Sequence, residues 1–72
     1  MANEKELRFV VFLIHALASA WGRSPAEVYA KLMESGILNK YIIPSYDMLH
    51  TLGREYLVED ITECMQEWGY QV

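Results

Sequence analysis

YDMLHTLGREYLVEDITECMQEW, running from Tyr46 to Trp68, decides the fold. Gly53, a helix breaker, divides it into two apolar-periodic segments. Beyond Gly53, residues Leu57, Ile61, Cys64, Met65 and Trp68 recur at the three- and four-residue spacing of one helical face. Glu55, Glu59, Glu63 and Glu67 recur every fourth residue on another face. The spacing predicts an amphipathic helix with an acidic back. Like charges four apart oppose helix formation by roughly 0.2 to 0.5 kcal/mol per pair, so local helix stability does not account for the stripe. Before Gly53, residues Tyr46, Leu49 and Leu52 are expected to face the core from a third helix, which a positive-φ Gly53 closes.

Upstream, helix boundaries follow from caps. Ser24, Pro25 and Glu27 stand in the order N-cap, first turn and capping-box acid, so a second helix starts at Pro25 and ends at Ser35 and Gly36. It is expected to turn Val28, Tyr29, Leu32 and Met33 inward and to pair Glu27 with Lys31 outward. Asn3 and Glu6 repeat the capping pattern at the start of a first helix, with Glu4 and Arg8 at ion-pair spacing. This helix runs to Trp21, with Gly22 as its stop. Leu7, Val10, Val11, Ile14, Leu17, Ala18 and Trp21 form its main stripe. Phe9, Phe12, Leu13, Ala16 and Ala20 cover much of the rest, which leaves a spare apolar face. Ile37 to Ile43 reads as a short apolar turn or a single helical turn around Asn39 and Lys40, with Tyr41, Ile42 and Ile43 open to local extension. No longer run alternates with the period of a strand.

The expected fold is therefore all-α, a single domain over residues 1–72. It is a small bundle of three main helices plus one short helix, with helix four laid against helix one. A chain of this length buries only about 60% of the surface its unfolded form exposes. The apolar fraction of 53% compensates, and it exceeds what a solvated monomer needs. Most Tyr and Met residues are expected in the core, with Tyr41, Tyr46 and Tyr70 partly exposed.

The charge and cysteine usage exclude several classes. A formal net charge of −4 with six scattered Lys and Arg argues against nucleic acid as a partner. Cys64 is the single cysteine, so no intrachain disulfide exists and a cytoplasmic setting is expected. Its place on an apolar helix face predicts a small buried thiol. The apolar run from Phe9 to Trp21 contains His15 and Ser19 and is shorter than the ~20 residues a bilayer span needs, so no membrane role is expected. Glu4 and Glu6 also spoil a basic signal-peptide start. His15, His50 and Cys64 lie on three separate segments without paired ligand spacing, so neither a metal nor another cofactor is expected. His15 is expected to pack at the end of its apolar run and His50 to be partly exposed, each holding one hydrogen bond. No phosphate loop, nucleophile elbow or acid/base dyad appears, so no catalytic residues are assigned and the chain is not expected to be an enzyme.

Glu27 to Tyr29, Gly36 to Leu38 and the unbroken run Tyr46 to Ile61 together resemble a short bacterial family called domain of unknown function 3791. The likeness spans nearly the whole chain, and its core is Leu49, His50, Thr51 to Gly53, Glu55, Tyr56 and Val58 to Ile61. The resemblance implies a small helical bacterial protein and supplies no catalytic residues. It also implies relatives encoded beside a protein similar to ADP-ribosyltransferases, which suits an accessory or antitoxin-like binder.

Three functions remain open from the residues. In the first, Glu55, Glu59, Asp60, Glu63 and Glu67 present a negative strip to another protein with a basic surface, with His50 as a further recognition point. The bland alternative leaves the same strip as a solvated face and His50 with Thr51 as turn formers. The second function is a homodimer through helix one, serving assembly. The third is a small helix-turn-helix DNA reader, which is disfavoured because Arg54 is the one cation that helices three and four offer.

Overall fold

Side-chain caps start the two upstream helices, and the computed structural model, which describes residues 3–72, shows both. Helix α1 spans Glu4–Trp21 and helix α2 spans Pro25–Ser35. In α1 the Asn3 carboxamide accepts from the Glu6 amide at 2.8 Å, and the Glu6 carboxylate accepts from the Asn3 amide at 3.0 Å. Ser24 and Glu27 make the same reciprocal pair in α2. Gly22 and Gly36 close these helices in the left-handed conformation, with φ of 65° and 81°. A π-helical turn, Leu38–Ile42, follows, then a short helix α3, Tyr46–Leu49, and finally α4, Arg54–Glu67. The bundle is all-α, with three main helices and two short helical segments among the described residues.

Helix α1 packs against both α2 and α4. Leu13 and Leu17 of α1 meet Val28 and Leu32 of α2 and Leu57, Ile61 and Met65 of α4 in one core. Ile37, Ile42 and Leu49 close it from the turn and α3. Burying each such side chain stabilises the fold by roughly 1.5 to 3 kcal/mol, which is how so short a chain holds together.

Several expectations change. Leu7 and Val11 are each 54% exposed, so the buried stripe of α1 is centred on Leu13 and Leu17 rather than on them. An all-apolar helix does not fix its own azimuth; contacts with α2 and α4 do. Phe12 and His15 share the open side, so His15 is exposed rather than packed. Tyr29 and Met33 also face outward, because α2 meets its neighbours only along the line through Val28 and Leu32. Glu27 does not pair with Lys31. Its carboxylate is turned back to the Ser24 amide and Arg23 lies 3.6 Å away, while Lys31 reaches the Gln71 carbonyl at 3.1 Å.

Tyr41 and Ile42 are wound into the π turn, and no extended segment forms there, because Leu38 and Ile42 both bury. Helix α3 ends at Leu49, short of the expected closure at Gly53. The His50 ring Nδ1 sits 2.7 Å from the Tyr46 carbonyl, which also keeps its helical bond from the His50 amide. Thr51 Oγ1 donates at 2.8 Å to the Met48 carbonyl that the Leu52 amide of a further turn would use, and Leu52 N bonds to the Leu49 carbonyl at 3.0 Å instead. Gly53 has φ −71° and ψ 157°, an extended N-cap of α4 and not a positive-φ closure. Trp68 leaves the inner stripe and is 43% exposed, because α4 stops before it. The amides of Gly69 and Tyr70 bond back to the Gln66 and Met65 carbonyls, and Tyr70 and Val72 pack on the core instead.

Candidate functional site

Helix α4 buries Leu57, Ile61 and Met65 completely or nearly so, and this fixes which way its carboxylates point. Glu55, Glu59, Glu63 and Glu67 are all exposed. The helix carries one cation, Arg54, against five carboxylates, whereas the remaining five cations and five carboxylates of the chain cancel. The whole net charge of −4 thus sits on α4. Among the described residues the ion pairs are Glu4–Arg8 and Arg23–Glu27, and neither involves α4.

These carboxylates border a concavity. Ser19 and Ala20, two small exposed residues near the end of α1, stand opposite Val58 and Thr62 of α4. The space between the helices is a groove of about 600 Å³, within the size range of ligand sites. Glu55, Glu59 and Glu63 form its rim, with Arg54 also in its wall. Thr62 in its lining accepts the Trp21 indole Nε1–H at 2.8 Å, which ties α1 to α4. Glu67 continues the strip beyond the groove.

Asp60 does not join the strip. It is half-buried on the side facing the π turn, where the Tyr41 hydroxyl donates to its carboxylate at 2.6 Å. That bond, with burial and the Asp60 charge, pushes the Tyr41 phenol well above its usual range. Cys64, expected to be buried, is half-buried beside them. Burial, and then the Asp60 charge, pushes its thiol up, which disfavours the reactive thiolate.

His50 stands apart from the groove. Its ring stacks on Tyr46 with centroids 4.5 Å apart and a tilt of 11°, in a second hollow lined by α1 and α3. The residues singled out from the sequence therefore divide into three places: the groove rim with its extension to Glu67, the Tyr41–Asp60 contact, and the His50 hollow. Sequence reasoning missed Ser19, Ala20 and Thr62 in the groove; adjacent small residues near the end of an apolar helix were the available signal. Among the described residues no three of His, Cys, Asp and Glu gather as metal ligands would, and no helix is long and apolar enough to cross a membrane.

The structure defines a small all-α domain with an acid-rimmed groove between its first and last helices. The chain belongs to the family described as protein of unknown function (DUF3791), whose model matches residues 8–68. The match covers the groove-lining residues of both helices and bears out the resemblance read from the sequence. No curated protein and no solved structure matches the chain.

Proposed function

We propose that this domain is a non-catalytic protein-binding module, an accessory or antitoxin-like partner of another bacterial protein in the cytoplasm. A basic segment of that partner lies along the α1–α4 groove, its Lys or Arg side chains meeting Glu55, Glu59 and Glu63. The observation that carries this reading is the concentration of the entire net charge on α4, at the edge of a groove and without internal cation partners among the described residues. Complementary charge of this kind speeds encounter and selects the partner. With six Lys and Arg against ten Asp and Glu, and Arg54 the one cation of α4, the same distribution speaks against the DNA-reading alternative.

Capture from the native host, identified by mass spectrometry, tests the reading when wild type and E55Q/E59Q/E63Q are compared. A partner retained by wild type, lost by the variant and released between low and physiological ionic strength supports it. Equal capture by both proteins removes it.

A second reading, a homodimer with an assembly role, is favoured by the open side of α1, where Leu7, Val11 and Phe12 are exposed together. Size-exclusion chromatography with light scattering decides it. A salt-insensitive dimer that L7S/V11S disperses supports this reading, and a monomer at high concentration removes it.

A further inference from the structure

The hollow holding His50 has a chemistry opposite to that of the groove. Lys5, Arg8, Phe9 and Phe12 of α1 face Tyr46 and His50 across a space of about 390 Å³, with Leu52 and Leu57 also in its lining. Its charged and titratable lining groups other than the Tyr46 phenol all carry nitrogen, Lys5, Arg8 and His50, and no carboxylate lines it, in a chain whose net charge is −4. The aromatic rings are ordered against one another. Phe9 meets Tyr46 edge-on at 5.5 Å, and Tyr46 in turn carries the stacked His50 ring. The Tyr46 carbonyl can only accept, so the proton between it and His50 resides on Nδ1, which anchors the ring as a fixed platform.

We propose that this hollow binds a small aryl anion, a flat aromatic ring bearing one carboxylate or phosphate. The ring packs among Phe9, Phe12 and the Tyr46–His50 stack, with edge and face contacts that aromatic pairs favour. The anion meets Lys5 and Arg8. Arg8 holds Glu4 at 2.7 Å, but both side chains are largely solvated, so the pair is weak and the guanidinium keeps further donors for a ligand. The site is separate from the acidic groove and does not depend on the function proposed for it.

The test is an amide-resolved NMR titration of the full chain with phenyl phosphate, alongside inorganic phosphate and benzyl alcohol as the two halves of that probe. Saturable shifts at Phe9, Phe12, Tyr46 and His50 with phenyl phosphate, at least about tenfold tighter than with either half, support the proposal. K5A/R8A should weaken phenyl phosphate by about tenfold, leave benzyl alcohol unchanged and keep the melting temperature, because both residues are solvent-facing. Equal binding of inorganic phosphate, shifts at Ser19 and Thr62 instead, or no saturable shift overturns it. Shifts at Phe12 that grow with protein concentration and not with probe assign the hollow to a second copy of the chain, and also overturn it.

Discussion

Trp21 and Thr62, 41 positions apart, are joined by the indole Nε1 donating to the threonine hydroxyl at 2.8 Å. The hydroxyl proton is itself spent on the Val58 carbonyl at 2.6 Å, so the oxygen is held as an acceptor for the indole. This polar contact adds to the apolar core that holds together the two helices framing the groove. Thr62→Val keeps the side-chain shape but removes the acceptor, and should lower stability by about 1 kcal/mol in urea unfolding. A double-mutant cycle with Trp21→Phe should show non-additivity, since a valine at this position leaves the indole no hydrogen bond to lose. Additive effects would mean that the contact does not form in solution.

Gly53 and Gly36 should respond oppositely to substitution. At Gly53 the backbone is extended, nothing lies within 4 Å of an added Cβ, and the first turn of α4 lacks a side-chain cap. Gly53→Ser supplies that cap and stiffens the unfolded chain, so stability should rise by about 0.5 kcal/mol. At Gly36 φ is 81°, a conformation an alanine adopts only with strain, and Gly36→Ala should cost about 1 kcal/mol. Paired urea curves measure both signs.

The local chemistry of caps is why the helix starts at Asn3 and Ser24 were legible in the sequence: each capping box is complete within four residues. The inner stripe through Leu57, Ile61 and Met65 was legible because its four-residue spacing lies within one helix whose opposite face is polar. The azimuth of α1 was not, because Leu7 and Val11 are as apolar as Leu13 and Leu17 and only the positions of α2 and α4 separate them. Lys31 chose the Gln71 carbonyl, 40 residues away, over a carboxylate one turn away that its cap had already engaged. The same limit applies to the site. The glutamates of the rim were visible as a period of four, but Ser19 and Thr62 gain meaning only once the helices are paired. Asp60 left the strip because Tyr41, brought close by the π turn, offers it a hydroxyl.

That Tyr41–Asp60 bond gives the fold an alkaline limit. The phenol is held neutral by the hydrogen bond to the carboxylate, then by burial and the Asp60 charge, so its folded-state pKa lies above the ordinary 10.0. The stabilisation is therefore complete below pH 10 and lost as pH rises above it, because the unfolded phenol ionises first. Tyr41→Phe should cost about 1 kcal/mol near neutral pH and should flatten the fall in melting temperature above about pH 10. An unchanged alkaline slope would show that Tyr41 does not make this contact in solution.

The acidic rim carries its own stability test, independent of any partner. Glu55, Glu59, Glu63 and Glu67 make three like-charge pairs at four-residue spacing on one exposed helix, and each opposes the helix by roughly 0.2 to 0.5 kcal/mol. Glu67 adds to this by lying in the last turn, where the helix dipole disfavours an anion. E59Q/E63Q removes all three pairs while keeping side-chain length, so thermal unfolding should show a gain of about 1 kcal/mol at low salt that shrinks as salt screens the wild-type repulsion. The protein-binding role proposed for the groove would account for a surface kept at such a cost, and under that proposal the gain in stability should accompany the loss of partner capture. If the variant instead melts lower at every salt concentration, the carboxylates are holding the bundle together, and the docking role proposed for the groove loses its support.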